Sequence, residues 1–311
     1  MKKKILLPLL ASLLFLLPLG AQEPDSREGF LRRYNNLVDR VGPDGLGVES
    51  LLDKWAEAWP DDTNQQLARF SFCFSRCRTA RIEQMDRDRY LGQSPVLPMT
   101  DSLGNKVNYF QVFDYDDEVF GAALQAITKA ISAKENQLDW RFSKIDALLA
   151  YEKEEPEMAL QELKTLVDYH FTRKPDWVHE QLETVTPEQF NAFMQDYCVH
   201  LFRIGSDTST EAFRSLSEHL LRYSKNEPLY MDNIGSYYLL KKDYKKAQKQ
   251  FDQVLKKHPS DLTALKNCIL MARTRKDVKM EKKYLALMAA NAENETDRMS
   301  AQVRLEALGK K

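Results

Sequence analysis

The residues able to do chemistry in this 311-residue chain are few and scattered. Its five histidines are His170, His179, His200, His219 and His258, and no HExxH pattern sets two ligands and a base on one helix face. Cys198 and His200 lie two apart in a helical pattern, on roughly opposite faces, so they cannot act together. There is no GxSxG elbow, no glycine-rich phosphate loop and no CxxC pair. The expectation is no catalytic residue, no metal and no cofactor. An enzyme on a helical-array fold is the rival of a different class, and it requires His and carboxylate side chains from distant helices to converge in one cleft.

The other reactive groups read as structural. Cys73 and Cys77 are four apart in a helical segment, which places their Cβ atoms about 5–6 Å apart. A disulfide wants roughly 3.5–4.5 Å, so these two, with Cys198 and Cys268, are expected to be buried free thiols. The acidic run Asp114-Tyr115-Asp116-Asp117-Glu118 lacks the spaced oxygens and turn glycine of a calcium loop. It precedes an apolar helical pattern, where acids cap free N–H groups. Lys241, Lys242, Lys245, Lys246 and Lys249 read as a solvated face.

The elements that must position these residues are almost all helical. Apolar periodicity predicts helices at about 26–41, 45–58, 63–88, 116–133, 136–151, 156–170, 187–203, 209–224, 229–241, 244–257, 261–275, 277–290 and 296–308. One stretch departs from this: residues 95–113 carry two prolines, a turn-like Asp101-Ser102-Leu103-Gly104-Asn105 and a β-favouring run from Val107 to Phe113. That predicts a β-hairpin or long loop, acting either as a binding arm or as a cap over apolar helix surface.

The helix pairs carry a pattern. Met231, Ile234, Gly235 and Tyr238 are followed by Ala247 and Phe251, then by Pro259, which cannot continue a helix. Gly235 and Ala247 let two helix backbones approach, and Phe251 fills the space between them. This spacing resembles the tetratricopeptide repeat. The resemblance is specific over 228–261 and fair over 139–171, where Ala147, Ala150 and Ala159 keep the same intervals. Elsewhere it is only suggestive. It implies an all-α fold, an α-solenoid of stacked antiparallel helix pairs interrupted by the 95–113 insertion.

In that family the first helices of successive repeats line a groove that binds peptide segments. Carried over residue by residue, the layout puts Asp232, Ser236, Leu239 and Leu240 on the groove side, with Lys266, Asn267, Leu270 and Arg273 on the next first helix. Lys266 and Asn267 match part of the family's clamp for a peptide carboxylate, whereas Asp232 and Leu270 depart from it. The implied function is a non-catalytic scaffold or adaptor with a protein or peptide partner, bound through an acidic segment near Lys266 and Arg273. The alternative is a small-ligand or glycan-binding protein, which a basic, aromatic-lined pocket near the hairpin would support.

The N-terminus adds a location. Lys2, Lys3 and Lys4 precede an apolar run from Ile5 to Leu19 and small residues at Gly20 and Ala21, the three parts of a secretory signal peptide. The reading is export to the periplasm or beyond, with cleavage near Ala21-Gln22, no membrane span after removal, and an envelope partner. Without those three lysines the net charge moves from −1 to −4, which argues against a nucleic-acid partner. The expected domains are residues 1–21 as signal, 22–135 as a divergent helical region with the insertion, and 136–311 as repeats ending in a capping helix.

Overall fold

Short side chains that accept a hydrogen bond from the first free backbone N–H groups mark most helix starts in this chain. The computed structural model describes residues 25–309; the signal-peptide reading of 1–21 lies outside them. Ser26 caps α1 (Arg27–Val41) and Asp62 caps α3 (Thr63–Arg76), with α2 (Val48–Ala58) between. These three helices close around Trp55, Leu52, Val48 and Phe30. The Trp55 Nε1–H reaches the Asp62 carboxylate at 3.1 Å, so one acid both caps a helix and satisfies the buried indole.

The expected helix over 63–88 stops at Arg76. Residues 78–85 form strand β1 (Arg78–Met85), followed by β2 (Leu97–Thr100) and β3 (Lys106–Tyr115) in one antiparallel sheet of order β1-β3-β2. Arg78 stands opposite Tyr115, and Leu97 opposite Tyr109. The Arg, Ala, Glu and Gln of 78–85 prefer helix by only a few tenths of a kcal/mol each. β3, rich in Val, Tyr and Phe, offers that segment a complete row of backbone partners, and pairing wins. The hairpin read at 95–113 is present as β2 and β3, with Asp101 accepting from the Leu103 and Asn105 N–H groups in its turn. Asp116 then caps α4 (Asp117–Ala133) through the Glu118 and Val119 N–H groups, so the acidic run serves a helix start.

The remaining helices are α5 (Leu138–Glu152), α6 (Glu157–Arg173), α7 (Pro187–Ile204), α8 (Asp207–Tyr223), α9 (Pro228–Leu240), α10 (Tyr244–Lys257), α11 (Leu262–Thr274), α12 (Val278–Asn291) and α13 (Glu295–Gly309). The fold is an α-solenoid of consecutive helix pairs with a small sheet, as the sequence pattern implied. Its last part is strictly periodic: α9 and α11 begin at Pro228 and Leu262, and α10 and α12 at Tyr244 and Val278, each pair 34 positions apart. The connecting turns repeat as well. Lys242 and Lys276 both take positive φ, and Asp243 and Asp277 both cap the following helix. A period of 34 is that of the tetratricopeptide repeat. α13 begins at Glu295, 34 positions after Asp261 caps α11, and stands where a further first helix would.

Inside the pair α9–α10, Ala247 and Phe251 are fully buried and Gly235 faces the Phe251 ring. In α5–α6 the corresponding Ala147, Ala159 and Leu163 are buried too. The central core joins Cys77 and Phe120 to residues of α5 through α9, so packing is continuous across residue 135. A second core fills α10 to α13. All four cysteines are free and buried, and burial pushes the Cys77 thiol up to about 11 and those of Cys198 and Cys268 to about 12. They are packing residues.

Candidate functional site

Two surfaces merit description: the groove expected from the repeat, and a cavity beside the sheet. On the groove side, Asn267 Nδ2 of α11 reaches Ser236 Oγ of α9 at 3.3 Å. One turn further along each helix, Leu240 and Leu270 are 51% and 54% exposed. Met299 and Val303 on α13 are similarly open, at 56% and 65%. A cleft of about 310 Å³ includes Lys266, Leu270, Arg273, Asp297 and Ser300, and a shallower one on α13 includes Met299, Ser300 and Val303. An apolar strip therefore crosses α9, α11 and α13.

The cations expected to line that groove are already engaged. Lys266 Nζ lies 3.2 Å from Asp297 of α13, and Arg273 Nε lies 2.7 Å from Glu281 of α12. Arg304 also pairs with Glu281, at 2.9 Å. Burial would raise the Glu281 carboxyl, but the Arg304 and Arg273 guanidiniums bring it below its ordinary value. These charges tie the last three helices together rather than standing free for an acidic partner. Asp232, expected on the groove wall, is only 4% exposed. It turns toward Asp261 in the α9–α11 junction, and burial, followed by the Asp261 charge, pushes its carboxyl up to about 8.

The second surface was not foreseen in its residues. A cavity of about 440 Å³ opens between the sheet, the loop at Tyr90–Gln93, α5 and α7. That is the size of a small-molecule pocket, for which ~300–1,000 Å³ is usual. Arg78, Phe113 and Tyr115 come from the sheet, Asp146 and Leu149 from α5, Lys153 from the residue just past its end, and Asp196, Tyr197 and His200 from α7. The Tyr197 hydroxyl donates to Asp146 Oδ1 at 3.0 Å. Water reaches Asp146 through the cavity mouth, yet the enclosing walls still raise its carboxyl, and the same desolvation lowers the His200 imidazole.

Sequence reasoning weighed His200 against Cys198 and missed its companions. Tyr197 and His200 are three apart on α7, and Asp146 and Ala150 are four apart on α5, with Lys153 just past its end. Each helix thus carries a polar face beside its apolar stripe, and that was the available signal. Two of the other histidines are structural. His170 stacks on Phe190 and accepts from the Trp177 indole at 3.0 Å, with burial pushing it down to about 4. His219 meets Asp168 at 2.6 Å. Trp177 packs inside the loop between α6 and α7. Among the described residues no group of His, Cys, Asp and Glu could hold a metal ion, and no helix is long and apolar enough to cross a membrane.

Fold and surfaces together define a class: a helical-repeat chain with a sheet insertion. It matches no protein-family profile, and no curated protein sequence matches it. Among solved structures it is similar to one described as "Functional Characterization of Pseudomonas Aeruginosa pilF", with 11% identity and a TM-score of 0.33, over 89% of this chain and 97% of that one. A superposition of that quality leaves the functions of the two proteins unlinked.

Proposed function

We propose that this chain is an exported, non-catalytic scaffold or adaptor of the bacterial envelope, periplasmic after cleavage near Ala21-Gln22, whose repeat groove holds a segment of a partner protein. The divergent part to about residue 135 carries the sheet, and the repeats from 136 onward carry the groove. The observation that supports this reading is the exposed apolar strip Leu240, Leu270, Met299 and Val303 on three successive first helices. Helix pairs hold it preformed, so a partner binds without ordering that surface. Because Lys266 and Arg273 are paired internally, the strip, rather than the cationic end, supplies the attraction.

The test uses a photo-crosslinking residue at position 270 in the mature protein, exposed to native envelope. One discrete partner is expected, and Leu240→Glu with Val303→Glu should lose it while keeping the helical circular dichroism. Two carboxylates on an apolar contact should weaken binding by about tenfold or more, since each tenfold is only about 1.4 kcal/mol. Equal capture by both proteins would move the partner off the groove.

A further inference from the structure

The cavity between the sheet and helices α5 and α7 is bipolar. At one end stand Arg78 and Lys153. Their register and packing bring both to Tyr115: Arg78 is its cross-strand partner, and Lys153 Nζ lies 5.8 Å from its ring. Neither cation is in an ion pair among the described residues; Arg78 instead lies over the Phe74 and Phe113 rings at 5.1 and 5.6 Å. Of the acids near Lys153, Glu152 accepts from the Met158 and Ala159 N–H groups, Glu154 pairs with Arg87 and Asp114 with Arg81, each at 2.7 Å, while Glu155 and Glu157 share a surface pocket with Lys153 on its other side.

The other end is anionic. Asp146 lies on α5 six residues before its last residue, Glu152, about 9 Å along the axis, and Lys153 follows as the residue that ends the helix. Tyr197 holds one of its oxygens, and Asp196 and His200 line the cavity from α7. Leu149, Ala150, Val112 and Phe113 line the same cavity and make it largely apolar. An occupant suited to this layout carries an anion and a cation about 8–10 Å apart, joined by an apolar body. An extended peptide advances about 3.3–3.6 Å per residue, so two or three residues with free ends span that gap.

We propose that this cavity is a binding site for short zwitterionic peptides, the C-terminal carboxylate meeting Arg78 and Lys153 and the N-terminal ammonium meeting Asp146 and Asp196. The site is separate from the groove, and the proposal stands whether or not the groove binds a partner. The apolar lining accepts the middle side chain, and the two charged ends set length and direction.

The experiment is calorimetric titration of the mature protein with alanyl-phenylalanyl-alanine, its N-acetylated form and its C-terminal amide. The free peptide is expected to bind, and each capped form to bind about tenfold more weakly, because one charge-assisted contact is lost. Asp146→Asn should abolish the penalty for acetylation alone, and Lys153→Gly with Arg78→Gln the penalty for amidation alone. Glycine suits position 153, where φ is +59°. Equal binding of all three peptides, no binding at millimolar concentration, or binding lost with Leu240→Glu and Val303→Glu but kept in the cavity variants would overturn the proposal.

Discussion

Replacing Gly235 with leucine should lower the melting temperature by roughly 6–12 °C. The clear repeat depends on the contact between α9 and α10 at this point. A Cβ at position 235 would lie 2.5 Å from Phe251 Cε1 and 2.8 Å from Cζ. Phe251 is fully buried, so its ring has nowhere to move. Overpacking of this kind costs about 1–3 kcal/mol, and leucine, with three carbons beyond Cβ, belongs at the upper end. About 3 kcal/mol gives the stated shift at roughly 2–4 °C per kcal/mol for a chain of this class. The cause can be checked separately. Gly235→Ala should cost less on a Phe251→Leu background than on the wild type, because the smaller side chain vacates the contact. Strict additivity would show that the loss arises elsewhere.

Asp232→Asn should stabilise the protein, and increasingly so as pH rises. Asp232 must keep a proton to hydrogen-bond Asp261, which already accepts from the Ala264 N–H as the cap of α11. Its Oδ1 is buried without a partner. The carboxyl is therefore raised from 3.8 to about 8, burial contributing most and the Asp261 charge next; Cys268 is the other titratable group nearby. Below pH 4 both folded and unfolded chains carry the proton. Between pH 4 and 8 the unfolded chain releases it while the folded chain keeps it, so stability falls with rising pH until Asp232 itself ionises. Each unit of displacement corresponds to about 1.4 kcal/mol, and relaxation of the buried site brings the expected loss to roughly 2–4 kcal/mol by pH 8. Urea unfolding at pH 4.5 and pH 8 checks this: the advantage of the variant should be small at the first and near full size at the second. Parallel stability curves would mean that Asp232 ionises freely in the folded protein.

Asp232 also illustrates how a correct pattern misplaces a residue. The repeat spacing put it on a groove-facing helix, but a helix between two neighbours has more than one face, and only the packed neighbours decide which one is open. Here α11 covers Asp232 and leaves Leu240 exposed. Lys266 and Arg273 fared similarly. Their place on α11 was legible, whereas their engagement by Asp297 and Glu281 depends on α12 and α13 folding back beside them. The cavity was the least legible feature. Its residues come from two strands, a loop and two helices spread over more than 100 positions, and β1 itself reads as helix.

What the sequence determined by itself is local and periodic. The apolar stripes set the helices, Asp and Ser set their starts, and the Gly235–Phe251 pairing with the 34-residue spacing set the repeat. Such signals act within one or two helices, through backbone hydrogen bonds and neighbouring side chains that every copy of the pattern shares. The tertiary structure alone decided that 78–85 pairs with β3, that Asp232 meets Asp261, and that Arg78 and Lys153 stand without a carboxylate across a cavity from Asp146. These outcomes turn on which distant groups share a low-dielectric space, and charge interactions there are set by distance and burial rather than by order along the chain.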